Sequence, residues 1–161
     1  MQVFLTGYSW HDNTPAGSAI SHPVVHRRAG GSGTYADPIT VAVGHTRVGR
    51  GDVLDFAAGT RFYVPSLRRY LVVEDTCGDG PRPQDRPCHD LSTAPSGARA
   101  WLDVWLDGRS VPAATATACA RRLTGLRPVI MRPRADYPVG PGRGILQGGT
   151  CVSGYPDQVP G

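Results

Sequence analysis

"YLVVEDTCGDG", residues Tyr70 to Gly80, drives four apolar or aromatic residues straight into Glu74 and Asp75, then into a cysteine and a glycine turn. A short Val- and Tyr-rich run bounded by glycine reads as a strand. Alternation puts Tyr70, Val72 and Glu74 on one side and Leu71, Val73 and Asp75 on the other, so the two acids point to opposite faces. With Leu71 and Val73 in the core, Asp75 sits where that face runs out, at the mouth of the structure the strand helps to close. The local alternative is an aspartate that accepts hydrogen bonds from the amides of the following turn.

Five further runs have the same character: "VFLTGYSW" at 3–10, "ITVAVGH" at 39–45, "TRFYVP" at 60–65, "WLDVWLD" at 101–107 and "RPVIMRP" at 127–133. One window is helical, "PAATATACARRLTG" at 112–125, with Pro112 suited to a first turn and Gly125 to a stop. Twenty-one glycines and fifteen prolines in 161 residues call for many turns and few long helices. Six short strands with long loops and no regular alternation with helices predict an all-β protein, a small six-stranded closed barrel with one short helix. The barrel is expected over 1–135. Residues 136–161 are too glycine-rich to form more than an ordered coil, pinned to the barrel through Cys151.

Net charge is +4, carried by arginine alone, since the chain has no lysine and Glu74 is its one glutamate. The arginines are scattered as pairs rather than gathered into a run, which argues against nucleic acid as a partner. No apolar stretch reaches the length of a membrane span, and "MQVFLTG" is too short and too uncharged for a signal peptide. Cys77, Cys88, Cys119 and Cys151 allow three pairings. A Cys77–Cys88 bridge would close the loop "GDGPRPQDRP", and Cys119–Cys151 would tie the helix to the tail. The rival reading, a metal site around "CHD" at 88–90, lacks the paired C-x-x-C spacing of zinc folds. Disulfides fit better and imply an oxidising compartment, hence a secreted, extracellular chain whose leader is not part of this sequence. His11, His22, His26, His45 and His89 show no ligand spacing, so no metal or other cofactor is expected.

"VVEDTCGDG", followed after a loop by "AWLDVWLDG", resembles the signature of the double-psi β-barrel superfamily. Its members include the three-aspartate, rare-lipoprotein-A-like and membrane-bound type A lytic transglycosylases, the expansins and the family-45 glycoside hydrolases. The opening "GYSWHDNTPAGS" is similar to the aromatic-plus-aspartate start of the family-45 hydrolases. The likeness runs loosely over 3–107 and is most specific over 70–107. It implies a double-psi barrel, a groove across it, and an aspartate at position 75 beside the one at position 103. The implied partner is a cell-wall polysaccharide, peptidoglycan or β-glucan, acted on by a monomer.

Cleaving a glycosidic bond needs a protonated carboxyl for the leaving oxygen, and an inverting hydrolase adds a second carboxylate to activate water. Asp103 is the expected acid. Alternation in "WLDVWLD" sets Trp101, Asp103 and Trp105 on the face opposite Leu102, Val104 and Leu106, and two indoles would strip water from the carboxyl between them. Asp12 is the expected base and Asp75 an assistant. Tyr8, Trp10, Trp101 and Trp105 are expected to stack on sugar rings. Each has a plainer role: Asp12 in a turn, Asp75 as a turn acceptor, the aromatics as packing. Two classes stay open, a hydrolase or lytic transglycosylase and an expansin-like binding, inhibitor or defence module. The loop that follows Cys77 is longer than in minimal three-aspartate domains, and "WLDVWLDG" lacks the histidine or glycine-rich tail found in several relatives.

Overall fold

A computed structural model describes residues 1–78 and 89–159. In chain order the elements are β1 (Gln2–Tyr8), β2 (Ile39–Val43), β3 (His45–Val48), β4 (Gly51–Leu54), β5 (Arg61–Val64), β6 (Arg69–Thr76) and β7 (Trp101–Trp105). They are followed by α1 (Ala113–Leu123), β8 (Gly125–Pro128), β9 (Ile130–Met131), β10 (Leu146–Gln147) and β11 (Thr150–Cys151). The protein is mostly β with one short helix.

Seven strands, not six, make the main sheet, in the order β8-β1-β7-β2-β6-β5-β9. The extra strand comes from the run at 127–133, which the structure divides at Val129. β8 pairs with β1 and β9 pairs with β5, so one stretch of chain touches both edges of the sheet. The Val129 amide donates to the Met1 carbonyl at 2.8 Å, and the sheet curls into a nearly closed barrel. Two of its pairings are parallel, β1 with β7 and β2 with β6, while the rest are antiparallel.

The interior is aliphatic, as the alternation of the strands dictates. Val3 and Leu5, Val41 and Val43, Leu71 and Val73, and Leu102 and Val104 are all fully buried in one cluster. α1 buries Ala116, Cys119 and Leu123, spaced three and four apart, and the last two join that cluster. Gly7 lets the helix come close, because a Cβ there would stand 3.0 Å from Leu106 Cδ1 and 3.5 Å from the Ala120 backbone. Pro112 lies just outside the helix and Thr124, rather than Gly125, closes it.

The segment after "ITVAVGH" is a hairpin, β3 with β4, which alternation alone does not reveal because Arg47, Val48 and Val53 are exposed. The tail is more than coil: β10 and β11 form a second hairpin, and Cys119 is bridged to Cys151. Arg69 fixes it further. Fully buried, its guanidinium donates to the carbonyls of Arg68, Gly140, Pro141, Gly142 and Gly144. The expected Cys77–Cys88 bridge falls on Cys88, outside the described residues.

Candidate functional site

The two acids of the opening stretch owe their positions to a slip in register. Along β2 and β6, Val41 stands beside Val73, but Ala42 stands beside Asp75, leaving Glu74 without a partner on β2. This is a bulge, and it re-aims the residue that follows it. On the other side of β2, Ala42 pairs with Asp103, which in turn pairs with Thr6 on β1. Thr6, Asp103, Ala42 and Asp75 thus form one row across four strands. Without the extra residue, Glu74 would occupy the place beside Ala42 and Asp75 would face the other way.

A cleft of about 600 Å³ opens over this row, lined among others by Tyr8, Asp12, Asp75, His89, Trp101 and Asp103. All three expected acids therefore meet in one place. Of the four expected sugar-stacking aromatics, Tyr8 and Trp101 line the cleft and the other two do not. Trp105, still in register opposite Tyr8, is only 4% exposed and packs in the core cluster against the Tyr8 ring. Trp10 packs beside the core with the Arg109 guanidinium 5.3 Å from its ring centre.

Asp103 has Thr6 for a neighbour where two indoles were expected. The Trp101 indole N–H donates to Thr6 Oγ at 2.9 Å, and that hydroxyl donates to Asp103 Oδ1 at 2.8 Å. Indole nitrogen can only donate, so Thr6 Oγ accepts from Trp101, and its own proton goes to Asp103 Oδ1, the acceptor of the chain.

Asp75 is more deeply set. Tyr8 donates its hydroxyl to Oδ2 at 2.9 Å, while Oδ1 receives the Ser21 amide and hydroxyl and the Thr76 amide at 2.9–3.1 Å. Burial raises its pKa, and these hydrogen bonds only partly offset that effect. The Tyr8 hydroxyl is pushed well above its ordinary value by burial and then by Asp75.

Asp12 accepts from the Ser9 amide at 2.7 Å and the Ser9 hydroxyl at 2.8 Å, the local turn that its sequence context favours. The same side chain also reaches the cleft wall. His89, part of the "CHD" stretch weighed against disulfides as a metal site, stacks on Trp101 with ring centres 4.8 Å apart. Burial, with a smaller contribution from His45, pulls its pKa down to about 4, so it is neutral near pH 7.

Behind the sheet Glu74 does something different. It is fully buried, and Oε1 accepts the amides of Val24, Val25 and His26. Oε2 meets His26 Nδ1 at 2.8 Å and the Thr40 hydroxyl at 3.0 Å. His26 Nε2 reaches Asp37 Oδ1 at 2.9 Å. Burial opposes ionisation of Glu74, but the His26, Val25 and Thr40 hydrogen bonds prevail and hold its pKa below the ordinary value. Sequence reasoning missed this cluster. The signal was a lone glutamate at the end of an apolar run, facing a strandless segment that contains a histidine.

No group of three or more His, Cys, Asp or Glu side chains suited to a metal ion occurs among the described residues.

Residues 1–152 match the model of a protein family described as the DDB_G0273701 N-terminal domain. An uncharacterized protein of Dictyostelium discoideum, DDB_G0273701/DDB_G0273221, is 31% identical over 136 residues, covering 84% of this chain. The match takes in 52% of that protein, so the chain spans about half the length of its relative. No solved structure shows a significant match.

Proposed function

We propose that this chain, which belongs to that family, is a secreted polysaccharide-active protein on a double-psi barrel, cleaving a cell-wall glycan with Asp75 and Asp103. One observation carries the reading: a bulge brings two aspartates into a single row, one strand apart on either side of Ala42, beneath an open cleft. Two strand spacings separate their Cα atoms by about 10 Å. That leaves room for a water between the carboxyls, the arrangement of an inverting hydrolase rather than a retaining one. Two parallel strand pairs in an otherwise antiparallel barrel support the double-psi reading, and the Cys119–Cys151 bridge supports secretion.

The geometry favours a different division of roles from the one expected from sequence, where Asp103 is the acid, Asp12 the base and Asp75 an assistant. Asp75, whose pKa burial raises, suits the proton donor. Asp103, an acceptor held by Thr6, suits the carboxylate that draws a proton from water. Asp75 Oδ2 would give its proton to the leaving glycosidic oxygen while Asp103 takes one from the attacking water. Trp101, backed by His89, offers a flat wall to a sugar ring.

A second reading has its own support. Four donors already converge on Asp75, as they would on a carboxylate that only clamps the Ser21 segment. On that reading the cleft binds glycan without cutting it, as expansins do. Incubation with peptidoglycan, cellulose and β-glucan, followed by mass spectrometry of the soluble fraction, separates the two. Reducing-end products that vanish in both Asp75→Asn and Asp103→Asn support hydrolysis. Anhydro ends lost in one variant alone indicate transglycosylation by a single acid. Retention on the polymer with no product leaves the binding module, and neither retention nor product overturns the glycan reading.

A further inference from the structure

The cleft does not end at Asp75. A second depression of about 410 Å³ continues from it, and the two share Asp12, Asn13, Asp75, Thr76 and Gly78. A linear ligand lying in this groove passes over Asp75 with room on both sides. The two halves differ in charge. Around the first lie Asp12, Asp75 and Asp103 with a neutral His89. The second shares Asp12 and Asp75 but adds a cation, Arg28.

Arg28 is exposed, and among the described residues its guanidinium has no ion pair or hydrogen bond. Some exposed arginines are paired, Arg109 with Asp107, Arg134 with Asp136 and Arg143 with Asp37, and what sets Arg28 apart from the unpaired ones is its place on the wall of this groove. Its backbone, in contrast, is tightly held. Two residues before it, His26 is fixed by Glu74 and Asp37. Directly after it, the Ala29 amide donates to the Ser18 carbonyl at 2.8 Å, and the Gly30 amide reaches the Thr40 hydroxyl at 3.1 Å. A segment without regular secondary structure is thus anchored on both sides of one free cation at a groove wall. Such support is what a recognition residue requires.

We infer that the half of the groove beyond Asp75 takes a sugar unit bearing a carboxylate, read by the Arg28 guanidinium. This rests on the glycan reading above and narrows it to an acidic polysaccharide. A guanidinium forms paired charge-assisted hydrogen bonds with a carboxylate. Asp103 lines the first half alone and Arg28 the second half alone, while Asp12 and Asp75 belong to both, so the charged unit has one favourable end and the chain one favourable direction. The carboxylate can belong to a uronic acid or to a lactyl ether on an amino sugar.

The test is calorimetric titration of the full chain with three oligosaccharides of matched length: a neutral β-glucan fragment, an oligouronate and a lactyl-bearing glycan strand without peptide. At low salt, at least one acidic ligand should bind about tenfold more tightly than the neutral one, as one charge-assisted contact implies, and which one does so identifies the source of the carboxylate. Arg28→Gln should erase that preference. Arg28→Lys should retain part of it, and Arg27→Gln all of it. Equal affinity for neutral and acidic ligands, or a preference that survives Arg28→Gln, overturns the inference while leaving the glycan reading intact. Binding of none of the three overturns both.

Discussion

Glu74 and Asp75 are neighbours in the chain with the same functional group, yet the fold gives them opposite chemistry. Glu74 faces inward, and three amides, a hydroxyl and an imidazole supply the hydrogen bonds that water would otherwise make. Its charge is favoured, and the segment at 22–30 is organised around it. Asp75 lies at the cleft, where burial outweighs its hydrogen bonds and favours the proton. The bulge makes the difference, because it turns one carboxyl into the loop and the next one over the cleft. Even the carbonyl it frees is used, since the His22 amide donates to Glu74 O at 2.9 Å.

The comparison breaks if the two residues fail to separate activity from stability. Asp75→Asn should cost about 10² to 10⁴ in the rate of glycan cleavage, the usual range for a general acid. The sign for folding runs the other way. A carboxyl whose pKa is raised on folding opposes stability once pH passes above that pKa, so neutralising it should leave the urea midpoint at pH 7 unchanged or higher. A large loss of stability with activity retained would make Asp75 the clamp.

Glu74→Gln should do the reverse. The amide keeps the shape but removes the buried one of the two carboxylates that hold His26, leaving Asp37, and breaking a buried charged pair typically costs about 3 kcal/mol. An unfolding free energy from urea titration that falls by that amount, with cleavage per folded molecule retained to within about threefold, sharpens the contrast. An unchanged midpoint removes Glu74 from any organising role.

How much of this the sequence disclosed follows from what alternation can and cannot encode. Leu102 and Val104 were legible as core and Asp103 as facing away from them, because β7 is regular. Asp75 was legible as a mouth residue only in outline, since a bulge changes the parity and no residue type announces it. The burial of Trp105 was not legible, because alternation assigns a side chain to a face and says nothing about what packs over it. The Arg69 staple and the Glu74 cluster were invisible for a common reason. Their partners are backbone groups at 140–144 and 24–26, distant in sequence and indistinguishable from other loop amides and carbonyls.

The pH dependence of folding gives a smaller but more specific contrast. Glu74 and Asp37 titrate below their ordinary values of 4.5 and 3.8, so their contributions are complete above those values and are lost as pH falls through the folded ones. For His26 the folded pKa is raised despite burial, chiefly through its hydrogen bonds to Asp37 and Glu74. Its contribution is therefore complete below 6.5 and is lost as pH rises through the folded value. The window in which all three act is pH 4.5–6.5. Asp75 slopes oppositely in acid, so the measurement is the difference between the wild type and His26→Asn. That difference should peak inside the window, on the order of 1 kcal/mol, and shrink on both sides. A flat difference would mean that His26 packs without carrying charge.

The finest test lies in the Tyr8 hydroxyl, one of the hydrogen bonds that restrain the rise in the Asp75 pKa. Tyr8→Phe removes that donor while keeping the ring against Trp105. With one fewer donor to its ionised form, Asp75 should hold its proton to still higher pH. If Asp75 is the acid in cleavage, activity falls as it deprotonates, so the alkaline limb of the pH–rate profile should move upward in Tyr8→Phe. At the optimum the rate should change by no more than about threefold, since the carboxyl itself remains. A limb that stays fixed while the rate drops would assign Tyr8 to packing alone. A limb that moves downward would mean that the hydroxyl favours the protonated carboxyl, reversing the sign of its influence on Asp75.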